Sequence, residues 1–286
     1  MKKFIGNLAE AVGLDRNPRV AVVRLTGAIG AAGGLRPGLT LAAVAGQLEQ
    51  AFTMSRAQAV ALVINSPGGS PVQSKLIHDR VRALSEEHGK PVFAFCEDVA
   101  ASGGYMLALS ADEIFADPSS IIGSIGVISA GFGFPELLQK LGIERRVHAS
   151  GENKDMLDPF QPEDEADVKR LLAIQKDVHA TFKQMVKDRR GDRLKGTDKK
   201  LFTGEFWVGE TAVALGLIDG ISDLRATMRK RFGSRVKLKV VQPERGFFGQ
   251  PKPDSTASVD VGSIWGAPGK AFGWLEARSL WSRFGL

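Results

Sequence analysis

A chain of 286 residues, 43% hydrophobic and 24% charged, has the balance of an ordinary soluble globular protein and room for one large domain or two small ones. That balance excludes disorder over most of the length, and no run approaches the ~20 consecutive apolar residues of a membrane span. The formal charge of +6 gathers at Lys187, Arg189, Arg190, Arg193 and Lys195 and again from Arg225 to Lys239; without aromatic interleaving it excludes a nucleic-acid partner, leaving a solvated helix face first and attraction to anionic lipid second.

In chain order, residues 1–17 read as an amphipathic arm with Ile5, Leu8 and Val12 on one face. Met1-Lys2-Lys3-Phe4-Ile5 begins like a signal peptide, but Asn7 and Glu10 interrupt the apolar stretch. The expectation is a cytoplasmic chain without a transmembrane anchor, in peripheral contact with the inner membrane at most. A globular domain follows over 18–242. Strands are expected at Val20–Leu25, Ala59–Ile64, Pro91–Phe95, Glu113–Ala116, Glu144–His148 and Lys237–Val241. Helices are expected at Leu41–Phe52, Pro71–His88, Ala101–Ser110, Phe134–Leu141, Pro162–Arg190 and Glu210–Leu215. The alternation predicts an α/β fold of stacked βαβ units with a mostly parallel sheet. Residues 243–286 read as a linker rich in Pro, Gly and Ser, then a tail with Trp274, Ala277, Trp281 and Phe284 on one helical face, suited equally to a membrane interface or a neighbouring subunit.

Three segments carry candidate chemistry. Val63-Ile64-Asn65-Ser66-Pro67-Gly68-Gly69-Ser70 is a buried strand entering a glycine turn and a helix. Gly68 and Gly69 let another backbone approach, and their N–H groups are placed to hold an oxyanion; the same pattern also serves as a plain turn. Val99-Ala100-Ala101-Ser102-Gly103-Gly104-Tyr105-Met106 sets Ser102 among small residues at a predicted helix start, equally the place of a simple Ser N-cap. Ala149-Ser150-Gly151-Glu152-Asn153-Lys154-Asp155 leads into Asp158-Pro159-Phe160, and a lone lysine in such a loop is ordinarily a solvated charge. Cys96 lies in an apolar run and reads as a small buried hydrophobe; it excludes an internal disulfide, and with four scattered histidines no metal site is expected.

The order Ser-Pro-Gly-Gly, Ala-Ser-Gly-Gly-Tyr, Gly-Ser-Ile-Gly-Val-Ile from Gly123 to Ile128, then Lys with Asp-Pro-Phe, resembles the signal peptide peptidase A (protease IV) family. Phe202-Thr203-Gly204 and Ala214-Leu215-Gly216-Leu217-Ile218-Asp219 are also similar to it. The resemblance covers about Val20 to Leu224 and implies the Clp-peptidase/crotonase fold of repeated ββα units, with a helical extension. It implies a serine peptidase acting on peptide substrates, such as cleaved signal peptides, without a cofactor. Ser102 matches the family's nucleophile, Lys154 its general base and Ser124 the serine that orients the lysine. Gly103 and Gly69, with Gly68 next, match its oxyanion donors. The length matches the half-length form of the family, which implies a homo-oligomeric ring with each dyad completed across an interface.

A lysine serving as a base must be largely neutral at working pH, which calls for desolvation worth about 4 kcal/mol; Met156, Leu157 and Phe160 are the apolar neighbours expected to provide it. Two rivals share the fold. A Ser-His-Asp triad lacks a well-placed histidine, with His78, His88 and His179 expected at the surface or an interface and His148 in a strand. An acyl-CoA enzyme of crotonase type would use the two amides without the Ser102 hydroxyl. A non-catalytic membrane-associated scaffold is the third.

Overall fold

The computed structural model describes residues 17–30, 38–242 and 281–284. The N-terminal arm up to residue 16, the linker, and the tail positions Trp274 and Ala277 lie outside the described residues.

The core is an eight-stranded sheet. Its first strands are β1 (Arg19–Thr26), β2 (Ala57–Ser66) and β3 (Val92–Ala101). They are followed by β4 (Glu113–Ala116), β5 (Ile121–Gly123), β6 (Phe206–Val208), β7 (Gly220–Ile221) and β8 (Lys237–Val240). The main path runs β6-β5-β3-β2-β1-β8, and β4 leaves it to pair with β3 and β7. Every pairing is parallel except β5 with β6. Strand β3 forks the sheet: Phe93–Cys96 pair with β4, and Val99–Ala101 pair with β5.

The apolar runs of β1 and β2 follow from burial on both faces, as a parallel sheet requires. Val23, Leu25, Leu62 and Ile64 face the larger core, and Val20, Val22, Ala61 and Val63 face a second layer with Phe93 and Met228. The larger core is roofed by α1 (Leu41–Thr53), α2 (Pro71–His88) and α3 (Gly103–Ala108). The chain then forms α4 (Pro135–Lys140), α5 (Glu165–Arg190), α6 (Asp198–Leu201), α7 (Gly209–Ala214) and α8 (Leu224–Phe232), the last covering the opposite face. Helix α2 starts at Ser70, whose side chain accepts from Gln73 N–H, with Pro71 first in the helix, and ends at Gly89 with φ +59°.

The mostly parallel α/β class is the one expected; several local features differ. Residues 144–148 form no strand, and His148 sits in an exposed irregular segment. The helix expected from Ala101 begins at Gly103, because β3 continues to Ala101 to keep its pairing with β5. The long helix starts at Glu165 rather than Pro162, capped by Asp164, which accepts from Ala166 and Asp167 N–H. His78 is buried rather than at the surface, 7% exposed.

The basic end of α5 is a solvated face only in part: Lys187, Arg193 and Lys195 are exposed, but Arg189 and Arg190 turn inward. Arg190, 3% exposed, makes a bidentate pair with Asp219 at 2.8 and 3.0 Å, and Arg189 donates to the carbonyls of Leu109 and Ala111. Arg193 joins Asp219 at 3.2 Å. These cations bind helix to sheet, which a charge count along the sequence does not reveal.

Between the sheet and α5, residues 127–164 project as an arm whose only helix is α4. Ile128, Phe132, Leu137, Leu141, Ile143 and Val147 are all exposed along it.

Candidate active site

Parallel strands β3 and β5 end side by side, and a serine follows each. Ser102 follows Ala101 with φ +53° and ψ −122°, and its N–H donates to Gly123 O at 2.7 Å. That left-handed region costs a residue with a Cβ about 1–3 kcal/mol, so the surroundings must impose it. Ser102 stands in the N-cap position of α3 yet makes no capping bond through its side chain. The plain N-cap reading therefore fails: the hydroxyl makes no hydrogen bond among the described residues and opens into a cleft of about 1040 Å³.

Ser124 has φ +51° and is held by its N–H bond to Glu205 O at 2.8 Å. It is buried and lines the same cleft, with its hydroxyl also unbonded among the described residues.

The glycine turn closes on Ser102 from the other side. A Cβ on Gly68 would lie 2.8 Å from Ser102 Cβ and from Gly103 N, so only glycine permits this approach. The segment from Gly27 to Gly30 straps the turn down: Ile29 N–H donates to Gly68 O, and Ser70 N–H to Ile29 O, both at 2.8 Å. Gly68 N–H donates to Ser66 Oγ at 3.2 Å and is thus occupied. Those of Gly69 and Gly103 donate to nothing among the described residues, and both glycines line the cleft. The free amides are a pair, one from each glycine segment.

Lys154 is not brought to this cleft. It lies exposed on the arm, its N–H donating to Gly151 O at 3.2 Å, and its side chain makes no ion pair among the described residues. Met156 is half-buried, while Leu157 and Phe160 are exposed, so the apolar wrapping expected around the amine is not supplied within one chain.

Sequence reasoning missed His179, which lines the cleft and donates from Nε2 to Ile125 O at 3.1 Å. Its spacing of three from Phe182 and seven from Val186, both buried, was the available signal. That nitrogen is committed to a carbonyl. Arg283 also reaches the cleft, and Phe284 packs edge-on against Phe206 at 5.1 Å, so this end of the tail meets its own chain. Cys96 is buried on β3, and burial pushes its thiol up to about 12, which leaves no thiolate nucleophile. No group of three or more metal-ligating side chains occurs among the described residues.

An α/β sheet whose strand ends present a strained, open serine between two unoccupied amides defines a hydrolase-like site. The model of peptidase family S49 matches residues 85–236, and the chain belongs to that family. It is 56% identical over 274 residues to a Na(+)/H(+) antiporter NhaA of Brucella abortus, covering 93% of this chain and 37% of that protein. With the chloroplastic serine protease SPPA of Arabidopsis thaliana it shares 30% identity over 236 residues, 78% of this chain and 33% of that one. A mutant of the 1510-N membrane-bound stomatin-specific protease, solved with a substrate peptide, is similar with a TM-score of 0.47 at 16% identity, over 82% of this chain and 95% of that one. The chain thus spans about a third of the length of the two curated relatives. No helix among the described residues is long and apolar enough to cross a membrane.

Proposed function

We propose that the chain is a serine endopeptidase in which Ser102 is the nucleophile and Lys154 of a second copy is the general base. The observation that carries this reading is the conformation of Ser102, held at positive φ with its hydroxyl open beside the unoccupied Gly69 and Gly103 amides. Lys154 takes the Oγ proton as Ser102 attacks the substrate carbonyl, and the two amides hold the oxyanion. The proton then passes to the leaving amine, and water hydrolyses the acyl-enzyme by the same route. Ser124 Oγ accepts a hydrogen bond from the lysine and orients it without adding charge.

Two features support a base from another subunit: Lys154 stands outside the cleft, and its arm exposes the apolar residues that a second copy would cover. Assembly of this kind leads to a closed homo-oligomer. The exposed Val72, Leu76 and Ile128 line the cleft and favour apolar peptides, among them cleaved signal peptides. The antiporter name belongs to a protein of which this chain matches 37%, and transport is not carried over.

Ser102→Ala is expected to be inactive and Lys154→Ala to keep only a small residual activity, because an unactivated hydroxyl is a poor nucleophile at neutral pH. Mixing them under conditions of subunit exchange restores part of the activity, since some interfaces pair an intact Ser102 with an intact Lys154. No recovery, with exchange confirmed by mass, refutes the shared site.

A further inference from the structure

Lys154 sits in an exposed loop with no apolar core of its own, yet the loop is folded. Successive turns carry the chain onward: Lys154 N–H donates to Gly151 O at 3.2 Å, Asp158 N–H to Asp155 O at 3.1 Å and Gln161 N–H to Asp158 O at 3.1 Å. Leu157 is held at φ +61°, a conformation unfavourable for a branched side chain. Its N–H reaches Asp167 Oδ2 on α5 at 3.2 Å.

The centre of this arrangement is Asp158, whose side chain is only 4% exposed while Asp155, Leu157 and Phe160 around it are exposed. Its Oδ1 accepts from the Arg145 guanidinium and from Phe160 N–H at 3.0 Å. Arg145 in turn lies over the Phe160 ring at 4.8 Å, and Phe160 packs on Phe134 at 5.8 Å. Phe134 N–H donates to Pro159 O at 2.6 Å, closing the loop onto the start of α4. The carboxylate, with the backbone bonds and ring packing beside it, thus ties residues 134, 145 and 158–161 into a unit, four positions from Lys154. Its Oδ2 is buried without a partner among the described residues. An unpaired buried oxygen costs free energy, so stability alone is a poor account of a carboxylate here.

We infer that Asp158 is a positioning residue for Lys154: by clamping Arg145 and Phe160 it fixes the loop that delivers the lysine amine to the neighbouring Ser102. The inference rests on Lys154 being the base. Without the clamp, Leu157 relaxes from its positive φ and the amine is no longer held at one place. A misplacement of about 1 Å costs about a hundredfold in rate. None of the clamp residues Phe134, Arg145, Asp158 and Phe160 lines the cleft, whose walls include Ile29, Gly69 and Met106.

The test uses the assembled full-length protein with Asp158→Asn, Asp158→Ala, Lys154→Ala and both double variants, with oligomer mass checked by native mass spectrometry. Asp158→Ala is expected to lower kcat about a hundredfold with KM unchanged. Asp158→Asn, whose amide oxygen still accepts from Phe160 N–H, loses less and stays informative even if the alanine variant misfolds. In the Lys154→Ala background neither change lowers residual activity further, because the clamp acts only through the lysine. Equal losses in both backgrounds, or a fully active Asp158→Ala, overturn the inference. A fully active Lys154→Ala overturns the base assignment itself, so the two failures are told apart.

Discussion

Replacing Ser102 with glycine is expected to make the protein more stable while abolishing its activity. At φ +53° and ψ −122° the serine is in a region that costs a residue with a Cβ about 1–3 kcal/mol. Glycine removes that cost but raises the entropy of the unfolded chain, which gives back about 0.4–1 kcal/mol. The lost hydroxyl matters little, since it makes no hydrogen bond among the described residues. The net gain lies between about 0 and 2.6 kcal/mol, centred near about 1.3 kcal/mol, or roughly 3–5 °C in Tm for a domain of this size. Ser102→Ala is the control: alanine keeps the Cβ and the strain, so its Tm stays at the wild-type value. Both variants are measured by thermal unfolding at one protein concentration, because assembly makes Tm depend on concentration, and both are assayed for peptide hydrolysis. A glycine variant no more stable than the alanine variant would refute the reasoning that the fold holds Ser102 in a strained, reaction-ready conformation.

A methyl group on Gly69 would sit 2.1 Å from Ile29 O, so the backbone must move and carry the amide with it; Gly69→Ala should lower kcat by at least about a hundredfold in steady-state assays. Arg190→Met takes the bidentate partner from the Asp219 carboxylate, leaving it Arg193 and Ile114 N–H, and should cost about 1.5–3 kcal/mol in urea unfolding at pH 7. Burial is the largest influence and pushes Asp219 up, but the hydrogen bonds from Arg190 and Ile114 N–H and the charges of Arg190 and Arg193 together outweigh it and hold the carboxyl below its ordinary value of 3.8. The stabilisation is therefore present above that value and lost as pH falls through the depressed one, so the gap between variant and wild type should narrow in acid. Cys96, with its thiol pushed up to about 12, should resist a thiol-reactive disulfide reagent in the native state and react at once in urea.

The sheet was legible where apolar runs were long enough to declare a strand, as in Val20–Leu25, Ala59–Ile64 and Val92–Phe95. Strands of two or three residues such as β5, β6 and β7 carry no period and were invisible. Helix α8 was missed because its nine residues bury only Thr227 and Met228 amid basic side chains. The serine–glycine segments stood out by composition, but the positive φ of Ser102 and Ser124 is imposed by tertiary hydrogen bonds to Gly123 and Glu205 partners that no local pattern encodes. Lys154 was legible only through the order of motifs. Nothing in its own loop marks it, and the chain alone does not place it in the cleft.

The most direct test of the central claim is labelling with a fluorophosphonate, which reacts with activated serine hydroxyls, followed by peptide mass spectrometry. The account predicts one modified residue, Ser102, in the wild-type protein, with labelling absent in Ser102→Ala and strongly slowed in Lys154→Ala. Modification of a different serine, or undiminished labelling of Ser102→Ala, would contradict it.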